Sequence, residues 1–498
     1  MKGCPRRSPI SVSLVVMRTV LRCRALLLAL LCFAAPAPLA RAEGLVDVAD
    51  AAVERFSSRI DELAQWCEKQ ELYAARDTCY RMLVLYRPDH EVARRTLRYT
   101  KRGGDWVQSP GYKPGTNRNE EMEPKFKPWL DEITSEFLTT LLEAVRPVPE
   151  WEDREGRKRV LGEILRLDPD HEEARALNGE AHHRGRWVLK ETKSADERRR
   201  KLLEAVKELV KAVPEPVRED PDDVEAKLGL QWTAALKGEW WRALGTVPEP
   251  ELRRVLARME ASDKVFQEVF GLELPREKGC GFYLLRGLPD AKLAIGNHPE
   301  FTDTQKTYYL TLRSAWLPRG KHVFFQWSDT PEVRVDGSVR NALGVMLMRS
   351  FGVNTERGWV WEGLGCYLVE LITGTHRVIY VTREMVTTTE RDPKLDIDRR
   401  MKQPGANWLA LARELYDAKA APELPVFTRK KVNDMLPEDL IAGYALARYI
   451  VEGRPDQATR FFMLHGNNQP IKETVETVFR MPLELFEQQI IRWLKEML

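Results

Sequence analysis

Residues 87–107, "RPDHEVARRTLRYTKRGGDWV", and 168–189, "DPDHEEARALNGEAHHRGRWVL", are one pattern written twice. Pro88, Asp89, His90, Glu91, Ala93, Arg94, Gly104 and Trp106 recur at a single constant offset as Pro169, Asp170, His171, Glu172, Ala174, Arg175, Gly185 and Trp187. A fainter third copy starts at "DPDDVEAKLGLQWTAALKGEWW", from Asp220 onward. Repeats constrain architecture strongly, because a unit that cannot bury its own apolar face must stack on its neighbours. Each unit carries its own helix punctuation. An acid ahead of the helix caps free amides, proline suits the first turn, and glutamate favours the positive end. Ahead of the two copies run "AARDTCYRMLVLY" and "DREGRKRVLGEILRL", whose apolar stripes need a partner. Glycine then stops the chain and tryptophan is expected to pack back on the bundle.

These features resemble tetratricopeptide-like helical hairpins, without that family's period or full consensus. Helical repeats are therefore expected over 43–195, followed by a helical connector over 196–258. His90 and His171 stand beside carboxylates, yet a polar residue in a repeated capping turn explains them without a metal. His182 and His183 read as a solvated helix end.

The net charge of +3 is misleading. Lys2, Arg6, Arg7, Arg18, Arg22, Arg24 and Arg41 precede position 43 with no acid among them, so the remainder is net acidic. A basic nucleic-acid footprint is not implied. That start, the apolar run Ala25 to Ala35 and the site Ala40-Arg41-Ala42 together predict a signal peptide over 1–42. The run is shorter than the roughly 20 residues a membrane span needs. The expectation is export to the periplasm or the extracellular space, with no stable membrane span after cleavage. Past the leader stand Cys67, Cys79, Cys280 and Cys366, too few for a disulfide framework and without metal spacing. Cys67 and Cys79 are read as buried thiols, with a bridge between them as the alternative.

The texture changes near Met259. "GCGFYLLRG", "TYYLTL" and "KHVFFQW" read as short strands. Two helices follow, the second opening on Trp359-Val360-Trp361-Glu362-Gly363, and helices close the chain. With "CYL" at 366–368, "AGYALARYIVEG" at 442–453 and "PLELFEQQIIRWL" near the end, residues 259–498 resemble the gluzincin, peptidase-MA-like metallopeptidases. The resemblance implies a mainly α chain with an α+β C-terminal domain of thermolysin type, a small sheet and a helical tail. It also implies H-E-x-x-H, in which two imidazoles on one helix face hold zinc and the glutamate takes a proton from bound water. The chain has no such motif. Placed on "RNALGVML", the family pattern puts the ligands at Asn341 and Val345 and the base at Ala342, with Glu362 in the third ligand's place.

Neither asparagine, alanine nor valine supplies that chemistry. Glu362 is expected to serve as a helix-terminal carboxylate, Val339, Leu343 and Met346 to face the core, and Asn341, Val345 and Met348 to line the cleft. His298, His322, His376 and His465 are scattered singly, Cys366 has no evident base, and no phosphate-binding glycine loop is present. The expectation is an exported, non-catalytic protein- or peptide-binding protein with no cofactor. The strand His322, Val323, Phe324, Phe325, Gln326 and Trp327 is the expected peptide-binding edge. The alternatives are a zinc peptidase with an unconventional site at Glu362, and a scaffold acting through its repeats.

Overall fold

The computed structural model describes residues 44–149, 152–273, 280–316, 324–353, 356–377 and 396–498. The leader, and His322 and Val323 of the expected edge, lie outside them. The chain is mainly helical and divides into two compact units, Met1–Ala174 and Arg175–Leu498.

The first unit contains α1 (Leu45–Lys69), α2 (Tyr73–Tyr86), α3 (Glu91–Thr96), β1 (Tyr99–Arg102), β2 (Asp105–Gln108), α4 (Glu123–Val145) and α5 (Arg154–Leu167), and ends inside α6 (Glu172–Leu177). Helix α1 packs on α2, α4 and α5. Its apolar residues Phe56, Ile60 and Leu63 are buried, and Phe56 stacks on Phe137 with ring centroids 4.4 Å apart. Cys67 and Cys79 are buried free thiols.

Each repeated passage follows its expected upstream helix, α2 or α5, and is itself only partly helical. It folds as a short helix followed by a two-stranded antiparallel ribbon: α3 with β1–β2, then α6 with β3 (Glu180–His183) and β4 (Arg186–Leu189). His182 and His183 therefore lie on a strand. The histidine itself is the cap, since His90 Nδ1 accepts from Ala93 N at 3.2 Å and His171 Nδ1 from Ala174 N at 3.3 Å. In the first copy Asp89 instead accepts a hydrogen bond from the Trp106 indole at 2.9 Å, which links the recurring Pro-Asp-His to the recurring tryptophan. Gly103 and Gly104 (φ 59° and 100°) turn the first ribbon, Arg184 and Gly185 (φ 50° and 80°) the second. Two consecutive positive φ values match the right-handed twist of paired strands.

The second unit continues with α7 (Lys190–Lys211), β5 (Val217–Glu219), α8 (Asp223–Ala226), β6 (Ala234–Lys237), β7 (Trp241–Gly245), α9 (Glu249–Phe270), β8 (Cys280–Leu285), α10 (Leu288–Gly296), α11 (Asp303–Tyr309), β9 (Ser314–Trp316), β10 (Phe324–Trp327) and α12 (Pro331–Phe351). A π-helical turn (Val360–Leu364) runs into α13 (Gly365–Thr373), and helices between Ile397 and Met497 complete it. The third copy keeps the pattern, with Asp222 capping α8 where the others use histidine. Its ribbon, β6–β7, joins the main sheet, so 196–258, expected as a helical connector, holds strands as well as helix. "TYYLTL" also departs from expectation, beginning in α11.

The sheet runs β5-β6-β7-β8-β10-β9, with β8 parallel to both β7 and β10 and the other pairs antiparallel. Strand β8 is buried at every position, as a strand covered on both faces must be. Phe282, Leu284 and Phe324 face the larger core, which holds buried residues of α9 and α12, while Tyr283, Leu285 and Phe325 face a smaller one with residues of α10 and α11. Strand β10 hydrogen-bonds on both sides, to β8 and β9. Phe324 to Trp327 are therefore not an open edge, which corrects the expected site. Among the described residues the edge beyond them is β9.

Candidate functional site: a buried arginine–glutamate pair

Helix α12 begins with Pro331 at its first turn and stops at Gly352, whose φ is 66°. Between these ends it is buried almost all round, the mark of a helix inside a core. The Trp359–Gly363 phrase forms the π-helical turn opposite, where such turns often mark functional geometry. Its glycine has a steric reason, since a Cβ on Gly363 would lie 2.5 Å from the Gly443 carbonyl carbon. Trp359 is fully buried and donates its indole N–H to His465 Nε2 at 2.8 Å. His465 Nδ1 lies 2.9 Å from the Gln469 carbonyl, and burial pushes this imidazole down to about 4. It is a neutral core histidine.

Arg340, rather than Asn341, meets Glu362. Both side chains are buried, and the guanidinium lies 3.6 Å from the carboxylate. It also donates to the Trp361 carbonyl and sits over the half-buried Trp361 ring, 5.1 Å from its centroid. Gly365 leaves the room this guanidinium fills. One helical turn past Arg340, a Cβ on Gly344 would stand 3.0 Å from the Trp361 ring. Glu362 does not serve as a helix cap, because among the described residues no backbone amide donates to either of its oxygens; its partner is Arg340. Burial pushes its carboxyl above the ordinary carboxylate range, and Arg340 pulls it partly back.

The other expected site residues lie elsewhere. Asn341 donates to Ser314 Oγ of β9 at 2.7 Å. Ala342 is fully buried and Val345 nearly so, while Met348 is exposed. Val339, Leu343 and Met346 are buried as expected. Burial pushes the Cys366 thiol upward, away from thiolate. Among the described residues no group of three or more His, Cys, Asp or Glu is placed to hold a metal ion. No helix there is long and apolar enough to cross a membrane.

A second charge cluster, which sequence spacing could not announce, lies on α7, α13 and the helices after it. Arg199 bonds Glu370 and, at 3.1 Å, Glu452. Arg448 bonds Glu452 at 2.9 Å, and the buried Tyr444 hydroxyl donates to Glu370. His376 Nδ1 lies 3.4 Å from the same carboxylate. Burial alone would raise Glu370, but the His376 imidazole, Arg199 and Tyr444 together hold it at about 2. Its stabilising contribution is complete above the unfolded value of 4.5 and is lost as pH falls through about 2. Glu370→Gln is therefore expected to flatten the acid limb of a plot of urea midpoint against pH across that window. An unchanged limb would remove Glu370 from the account.

No family model, curated protein or solved structure matches the chain.

Proposed function

We propose that residues 259–498, with the sheet that begins at β5, form a gluzincin-like, thermolysin-type frame whose reaction centre has been replaced by an ion pair, and that the protein binds peptide or protein segments without cleaving them. The observation that carries this reading is the Arg340 guanidinium beside the Glu362 carboxylate. In an active member the third-ligand carboxylate meets a metal ion. Here the positive charge belongs to a side chain of the facing helix. In this reading Arg340, Asn341 and Gly344 take the family's first-ligand, base and second-ligand positions, one residue earlier than the register taken from the sequence. Guanidinium, amide and bare backbone offer neither zinc ligand nor proton acceptor.

Strand β9 supports the binding half of the proposal. Among the described residues it pairs on one side only, and Ser314 contacts Asn341 of α12. Trp327 N donates to the Arg313 carbonyl at 2.9 Å, so alternation along the ladder turns the backbone groups of Ser314 and Trp316 outward. An extended peptide can add there as a further strand.

Two measurements test the reading. Purified without chelators, the full chain is expected to carry no stoichiometric zinc. Zinc that disappears in Glu362→Ala would restore the peptidase alternative. In a peptide library, binders selected by the wild type are expected to lose affinity about tenfold or more in Ser314→Pro, which deletes an outward N–H. Undiminished binding would move the site away from β9.

A further inference from the structure

The first two ribbons share a backbone and differ in charge. Around β1–β2, Arg95, Arg98, Lys101 and Arg102 are all exposed. At the matching places around β3–β4 stand Ala176, Gly179, His182 and His183. The second copy folds to the same helix and ribbon with none of these four cations, so the architecture does not call for them.

Arg98 adds an independent argument. Its φ is 61°, and the second and third copies meet the same left-handed turn with Gly179 (φ 75°) and Gly229 (φ 73°). A side chain is disfavoured in that region, and glycine is its usual occupant. Backbone strain held where a neighbouring copy relaxes it points to a use for the side chain. That use is not an internal ion pair. Among the described residues, Arg98, Lys101 and Arg102 have no carboxylate within ion-pair distance; Arg95 reaches Glu91, and Lys101 lies over the Trp106 ring at 5.6 Å. In the second ribbon, by contrast, Arg184 pairs with Asp196 at 2.7 Å and His183 lies 3.2 Å from the same carboxylate.

We propose that the β1–β2 ribbon is a docking surface for an acidic segment of a partner protein, whose carboxylates are gripped by Arg98, Lys101 and Arg102, with Arg95 at the margin. Three of the four are arginine, whose planar fork takes carboxylate oxygens two at a time. A membrane surface fits less well. The ribbon tip is Gly103–Gly104, with no apolar wedge, and the Trp106 indole is tied back to Asp89. Strand addition is disfavoured too, because basic side chains along an edge oppose further pairing. This surface is independent of the pair at Glu362, and either proposal can fail without the other.

The test uses the full chain and a fluorescein-labelled peptide alternating glutamate with glycine, followed by anisotropy at low ionic strength. Arg98→Gly with Lys101→His and Arg102→His installs the second ribbon's residues. It is expected to weaken binding about tenfold or more while leaving the melting midpoint equal or higher, since the glycine releases strain. Arg98→Lys with Arg102→Lys keeps the charge but removes the forks, and is expected to weaken binding at least about threefold. Three results would overturn the proposal: no binding by the wild type, wild-type affinity in either variant, or tighter binding to phosphatidylglycerol vesicles than to the peptide. Should the triple variant fold poorly, Arg102→Gln alone, at an exposed position, carries the same expectation of weaker binding.

Discussion

Arg340→Ala is expected to destabilise the second unit by about 3–5 kcal/mol, the usual cost of leaving one member of a buried ion pair without its partner. Glu362 is 0% exposed and the Arg340 guanidinium lies 3.6 Å from it, so Arg340 supplies its compensating charge. The lost guanidinium also vacates the space beside Gly365 and the contact with Trp361. Urea unfolding followed by tryptophan fluorescence measures the loss. The pair need not be stabilising as a whole, because two charges have been taken out of water. Arg340→Met combined with Glu362→Gln is accordingly expected to recover to within about 1 kcal/mol of the wild type. The pH dependence gives a second handle. Glu362 titrates above its ordinary range in the folded chain, so its contribution is complete below the unfolded pKa and declines as pH rises through the folded one. Without Arg340 the carboxyl rises further and the decline steepens. Arg340→Ala should thus be closest to wild type in mild acid and furthest from it at neutral pH. A loss below about 1 kcal/mol at neutral pH would mean that Glu362 does not depend on Arg340.

The helix pair at this site was readable because its punctuation is local. Pro331, Gly352 and Gly374 mark helix ends that any chain would respect. The register was not readable, for an equally physical reason. Periodicity identifies a helix face only when another face meets water, and α12 is buried on nearly every side from Arg334 to Leu347. Arg340 and Asn341 are neighbours with different destinations, Glu362 and β9, and only the packed structure separates them. Strand β10 lies inside the sheet, and a sign of that place is visible in the sequence. A run such as Phe-Phe-Gln-Trp, apolar on both faces, suits a strand inside a sheet better than one at its edge. The ribbons are hard to read from the sequence because each strand is only four residues long, too short for apolar alternation to show. Gly103-Gly104 between them was nevertheless a hairpin signal.

The helix pair also admits a constructive test, with a large effect in the opposite direction. Arg340→His, Asn341→Glu and Gly344→His write H-E-x-x-H in the register that faces Glu362. The two imidazoles, four residues apart, share a helix face, and Glu362 becomes the third ligand. Gly344 lies tight against Trp361, with the virtual Cβ 3.0 Å from the ring; Trp361 is half-buried, so adding Trp361→Ala clears the way. The expected result is about one zinc per chain after dialysis, measured by elemental analysis, where the wild type retains none. The control places the same motif in the register suggested by sequence alone, as Asn341→His, Ala342→Glu and Val345→His. Its first imidazole would be directed toward Ser314 on β9, its glutamate would enter a fully buried position, and Arg340 would still occupy the space beside Glu362. That variant is expected to bind no zinc and to lose stability, since an unpaired charge is forced into the core. Zinc in the control but not in the first variant would restore the earlier register. Zinc in neither would count against the proposed metallopeptidase-like frame, since a helix pair of that kind should hold the ion once its ligands face the carboxylate.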